Sequence, residues 1–180
     1  MQPIQRRALY VIILIAALAW IFISADRSGT STAGLIPAPR QGFLAPDFTL
    51  STPEGESVTL SELRGQAVLV NLWATWCPPC RAEMPAIQKL YDEYKDQGFV
   101  VLGLNMTYQD NPAAVLPFVQ ENQLTFPILI EGTGDVAKKY ELRSLPSSFF
   151  IDRNGIIQEV VIGGPMSEAL LRTRIESILK

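Results

Sequence analysis

At 180 residues, with 48% hydrophobic and 18% charged residues, the chain can build one domain with a real hydrophobic core and has some length to spare. A formal net charge of −3, with no basic block beyond pairs such as Arg6-Arg7 and Lys138-Lys139, argues against nucleic acid as a partner. Histidine is absent, which excludes Ser-His and Cys-His dyads and removes the commonest metal ligand.

The chain opens MQPIQRRALYVIILIAALAWIFISADR, and residues 8–25 carry no charge. A helix of that length, rising about 1.5 Å per residue, spans roughly 27 Å, close to the hydrocarbon thickness of a bilayer. Arg6 and Arg7 precede the run and favour a cytoplasmic N-terminus for residues 1–7. The segment is therefore read as a single-pass signal-anchor that places all that follows outside the cytoplasm. A cleaved signal peptide is the rival reading. Against it, the run exceeds the usual apolar core of about 7–15 residues, and Ile23 would sit badly at −3 for cleavage after Ala25. Residues 26–42, DRSGTSTAGLIPAPRQG, read as a flexible linker, and a folded domain is expected over 43–180.

Within that domain APDFTL and SVTL, joined by TPEGE, predict a short hairpin, and LSELRG predicts one helical turn with a glycine stop. AVLVNLW at 67–73 is a nearly continuous apolar run, as in a strand buried on both faces. The apolar spacing of Met84, Ile87, Leu90, Tyr91 and Tyr94 predicts a helix over 78–97, closed by Gly98. FVVLGLNM predicts a second buried strand, then a helix over 112–122, the strand PILIE and a short helix around 136–140. SSFFID and IIQEVVIG flank Asn154-Gly155, a hairpin signal, and Ser167 caps a final amphipathic helix through Leu179. This order predicts an α/β fold with a mixed central sheet flanked by helices.

The only two cysteines, Cys77 and Cys80, lie where the first buried strand meets its helix, at the sheet edge where open α/β folds gather chemistry. Pro78 suits the first helical position, leaving Cys77 as the N-cap facing unpaired N–H groups and the positive end of the helix dipole. Both effects favour a thiolate, making Cys77 the attacking sulfur and Cys80, one turn deeper, the resolving one. A purely structural disulfide would close too short a ring to add much stability. A zinc site within one chain lacks two further thiolate or imidazole ligands.

NLWATWCPPC, the upstream APDFTL and the downstream SLPSSFFIDRNG together resemble the membrane-anchored TlpA/ResA-like branch of the thioredoxin superfamily, related to the AhpC/TSA redoxins. The resemblance covers 43–180. It implies a thioredoxin fold with an added N-terminal β-hairpin, and thiol–disulfide exchange outside the cytoplasm without a cofactor. It also implies reduction of exported protein disulfides, such as those of apocytochrome c, by a monomer that a membrane thiol donor re-reduces. Pro146 matches the family's cis-proline facing the cysteines, with Leu145 free to pair with a bound backbone. Trp76, Pro79, Leu145 and Pro146 make up the implied partner-contacting set.

Glu83 has two readings. It is a solvated first-turn acid, or the family's active-site acid that moves protons on and off the cysteines. Asn71 stands where thioredoxin proper has a buried acid, which closes that proton route and shifts weight to Glu83. Trp76 either shields the sulfur or contacts a partner, whereas Trp73 reads as core. Pro85 removes one backbone bond inside the active-site helix. Two rival functions remain to be tested. A peroxiredoxin-like peroxidase needs Thr or Ser three residues before its cysteine, where Cys77 has Ala74. A Cu(I)-binding thioredoxin-like chaperone would have two thiolates and no histidine.

Overall fold

The computed structural model describes residues 36–180. Its elements follow the predicted order: β1 (Thr49–Ser51), β2 (Ser57–Thr59), a 3-10 turn (Leu60–Leu63), β3 (Ala67–Trp73), α1 (Pro78–Tyr94), β4 (Phe99–Asn105), α2 (Pro112–Glu121), β5 (Ile128–Ile130), α3 (Asp135–Lys139), β6 (Ser147–Ile151), β7 (Ile157–Ile162) and α4 (Glu168–Ile178). They build one seven-stranded sheet in the order β2-β1-β5-β4-β3-β6-β7. β3 pairs parallel with β4 and antiparallel with β6, so the sheet is mixed as expected. The added hairpin β1–β2 joins the sheet through an antiparallel contact of Ser51 with Ile130.

β3 is an interior strand between β4 and β6, and all seven of its residues are buried. Successive side chains of a strand point to opposite faces, and here each face has its own core. Ala67, Leu69 and Trp73 pack with α1, α2 and α4, whereas Val68, Val70 and Leu72 pack with Phe48, Val136 and Tyr140 on the other side. Apolar side chains are required on both faces, which explains the run, broken only by Asn71. Trp73 is core, as predicted, with its ring 5.0 Å from that of Phe118. Gly103 on β4 makes room for the neighbouring Phe126 and Ile128: a Cβ there would lie 2.9 Å from the first and 3.0 Å from the second.

α1 starts at Pro78, runs through Pro85 and ends at Tyr94; a 3-10 turn (Lys95–Gln97) then leads into Gly98, whose φ of 82° is the left-handed stop. At the tip of β6–β7, Gly155 (φ 81°) donates its N–H to the Asp152 carbonyl. Ser167 caps α4 by accepting the Leu170 N–H, as predicted.

Residues 37–42, expected at the end of the linker, lie against the domain. Ala38 N–H donates to Leu44 O, Gly42 N–H donates to Ile157 O, and Leu44 bridges to Ile156 beside β7. The predicted membrane span at 8–25 lies outside the described residues. Among the described residues no helix is long and apolar enough to cross a membrane.

Candidate active site

Cys77 is the N-cap of α1 and Pro78 its first residue, the placement the sequence implied. The two sulfurs form a disulfide, with Cα atoms 5.3 Å apart. The Cys77 sulfur also accepts the Cys80 backbone N–H at 3.3 Å. That contact puts one of the helix's unpaired N–H groups on the sulfur that would carry charge after reduction. Both cysteines belong to the core cluster on the α1 face, Cys80 without exposed surface and Cys77 with 2%. Of the pair, only Cys77 has any exposed surface.

Glu83 is not a solvated first-turn acid. It has no exposed surface. It lies three residues beyond Cys80 on α1, within the reach of one helical turn. Its carboxylate accepts the Asn71 side-chain amide at 2.9 Å and the Met166 N–H at 3.2 Å. Burial pushes its pKa up from the ordinary value, and the bonds from Met166 and Asn71 only partly offset that. Asn71 also donates to the Ser148 hydroxyl at 2.9 Å, while its own side-chain oxygen is buried without a partner. The residue that cannot carry a proton thus holds the one that can.

The peptide bond Leu145–Pro146 is cis, as the family resemblance implied. Pro146 is buried and Leu145 half-buried. Gly164 links this proline to the buried acid. A Cβ on Gly164 would lie 2.8 Å from Pro146 Cγ and 2.9 Å from Glu83 Oε2. Gly164 precedes a second cis proline, Pro165, and the Gly163 N–H donates to the Pro146 carbonyl. Sequence reasoning passed over Gly164, Met166 and Ser148; the Gly163-Gly164-Pro165 run was the available signal that the chain turns tightly here.

On the surface, Trp76 is 57% exposed, and its indole N–H donates to the Gln109 carbonyl at 3.0 Å. It lines an open hollow of about 210 Å³ with Tyr108, Leu142, Arg143 and Leu145. Pro79 is half-buried beside the disulfide. Trp76 and Leu145 therefore share one hollow, with Tyr108 as an unforeseen neighbour and Pro146 next to Leu145 in the chain. Among the described residues no cluster of acidic or cysteine side chains could hold a metal ion.

A paired Cys-X-X-Cys at the N-terminus of the first long helix, with a cis-proline just before β6, the strand that neighbours β3 in a mixed sheet, defines a thioredoxin-fold thiol–disulfide oxidoreductase. Residues 42–160 match the model of the AhpC/TSA family. The thiol-disulfide oxidoreductase ResA of Oceanobacillus iheyensis is 36% identical over 177 residues, covering 96% of this chain and 85% of that protein. Among solved structures, a Chlorobium tepidum protein described as the thiol:disulfide interchange protein DsbE superposes with a TM-score of 0.72 at 30% identity, over 78% of this chain and 99% of the other. StoA of Bacillus subtilis superposes with a TM-score of 0.62 at 32% identity, over 72% and 96%. The chain belongs to the AhpC/TSA thioredoxin-superfamily family, as a ResA-like thiol–disulfide oxidoreductase.

Proposed function

We propose that the protein reduces disulfides of exported proteins, with apocytochrome c as the leading substrate class, from a membrane anchor formed by residues 8–25. In the reduced protein the Cys77 thiolate attacks one sulfur of the partner's disulfide. That S–S bond breaks, the partner's other sulfur leaves as a thiolate and takes up a proton, and a mixed disulfide forms. Cys80 then attacks the Cys77 sulfur, the second partner thiol is released, and two electrons have passed to the partner. Cys80 must lose its proton in this step. Glu83 receives it, since a buried carboxylate with a raised pKa is a fit proton acceptor near neutral pH. Trp76, Pro79, Leu145 and Pro146 seat the partner's backbone. A membrane thiol donor then attacks the Cys77 sulfur of the disulfide and, through a second exchange, restores the dithiol.

The observation that carries this reading is the burial of Glu83 beside Cys-Pro-Pro-Cys, in a chain with no histidine to move protons. The kinship with ResA and DsbE proteins supports exchange chemistry; the direction and the substrate are ours. The test is the reduction potential of the full-length protein in detergent, equilibrated against glutathione or dithiothreitol buffers, with Cys77→Ala as control. A value below about −200 mV, with apocytochrome disulfides reduced, fits a reductant that needs a transmembrane donor. A value near −120 mV would make the protein a disulfide-forming oxidant instead. Rapid peroxide turnover with a thiol donor would favour the peroxidase reading, against which Ala74 stands.

A further inference from the structure

The turn 74–77 delivers the chain from β3 to the attacking cysteine and is closed by the Cys77 N–H on the Ala74 carbonyl at 3.2 Å. Its first inner residue, Thr75, is held from both sides. The Thr75 N–H donates to Asp110 Oδ2 at 2.6 Å, and its hydroxyl donates to Asp110 Oδ1 at 2.5 Å. Asp110 is itself fixed by the Asn105 side-chain amide and the Asn111 N–H, each at 2.8 Å. On the opposite side of the same residue, the Thr75 carbonyl accepts from the Arg81 guanidinium at 3.2 Å. Arg81 follows Cys80 on α1, and its guanidinium rests 5.0 Å from the centre of the Phe118 ring. An anion thus grips the donor side of Thr75 and a cation its acceptor side, two residues before Cys77.

This arrangement exceeds what a turn needs. A single side-chain acceptor satisfies a turn N–H; here a carboxylate takes both donors of Thr75 while a charged donor takes its carbonyl. The other ionisable groups around the turn and its helix are Glu121 of α2 across a hollow from Arg81, Arg143 beyond Trp76, and Glu83, buried on α1 itself. None of these three bonds Thr75.

We propose that Asp110 and Arg81 are positioning residues for Cys77: together they lock the turn before it, and their opposite charges set how readily its sulfur holds a proton, Asp110 favouring the thiol and Arg81 the thiolate. The two charges act against each other, and the helix N-terminus adds its own pull toward the thiolate. The proposal rests on Cys77 being the attacking sulfur and not on the direction of exchange.

The test uses the full-length protein in detergent with Cys80→Ala, which leaves Cys77 as the single thiol, and follows thiolate ultraviolet absorbance against pH. Asp110→Asn should raise the thiolate fraction about threefold at a pH below the midpoint, and Arg81→Gln should lower it by a similar factor. The double variant should return near the starting value, and Arg81→Lys should restore what Arg81→Gln loses. If Asp110→Asn does not fold, Arg81→Gln must still lower the fraction on its own. Shifts of the same sign in folded variants, or no shift in either, overturn the proposal. Opposite shifts in a protein that fails to reduce partner disulfides would retain this proposal and discard the reductase reading.

Discussion

Two carboxylates have no exposed surface among the described residues, and the protein treats them oppositely. Glu131 directly follows β5 and accepts five hydrogen bonds. The Thr133 N–H, the Thr133 hydroxyl and the Gly134 N–H meet one oxygen, and the Val136 and Ala137 N–H groups at the start of α3 meet the other, all within 3.1 Å. Glu83 accepts two. Burial raises the pKa of both. At Glu131 the bonds, led by that from Ala137, more than compensate and hold the carboxyl below its ordinary value. At Glu83 the bonds from Met166 and Asn71 do not, and its pKa stays raised. Burial alone therefore does not mark a functional acid; the number of donors supplied to it does. Glu131 is held as an anion that ties a loop, whereas Glu83 keeps the raised proton affinity that its proposed role needs.

The largest effect should come from removing the anion. Glu131→Ala strands five donors and should cost about 3–5 kcal/mol of stability by chemical denaturation, with the exchange rate of the surviving folded protein little changed. Glu83→Gln should do the reverse. The amide keeps the shape and sheds a poorly compensated charge, so stability at neutral pH should hold or rise. Resolution of the mixed disulfide by Cys80 should slow about 10²-fold, seen as accumulating mixed disulfide in quenched-flow. If Glu83→Gln resolves at the parent rate, Glu83 is structural after all. Gly164→Ala presses on Pro146 and Glu83 together and should cost about 1–3 kcal/mol. The smallest change should come from Trp76→Ala, with stability within about 0.5 kcal/mol and a weaker KM for a partner disulfide as its signature.

The pH dependence separates the two acids by sign. Glu83 has a raised pKa in the folded state, so its contribution to stability is fully present below the unfolded value of 4.5 and is lost as pH rises through the folded one. Glu131 has a depressed pKa, so its contribution is present above 4.5 and is lost as pH falls through the folded value. Denaturation curves should therefore show Glu83→Gln flattening the alkaline side of the stability profile. Glu131→Gln should flatten its acid side.

What could be read in advance follows the same division. The run Ala67–Trp73, the Pro78 start of α1 and the Asn154-Gly155 tip were legible because local chemistry dictates each: burial on both faces, a missing N–H, a positive φ. The cysteines were legible because their spacing carries its own mechanism. Glu83 was visible as a position, but its burial was not, since it depends on Asn71 from β3 and Met166 from beyond β7. Glu131 read as the polar end of the strand PILIE. Its role appears only when the turn back into α3 brings five donors around it. Asp110 was hidden likewise, because its partner Thr75 lies 35 residues away. Long-range polar closure does not show in hydrophobic periodicity, whereas apolar strands and capped helices do.

The central claim is that one buried carboxylate is poised to exchange a proton and the other is not. Glutamate carboxyl carbons followed by ¹³C NMR across pH, assigned with Glu83→Gln and Glu131→Gln, measure this directly. The signal lost in Glu83→Gln should titrate above 4.5 and the signal lost in Glu131→Gln below it. A Glu83 signal titrating at or below that value would contradict the account, because its carboxylate could then take no proton from Cys80 near neutral pH.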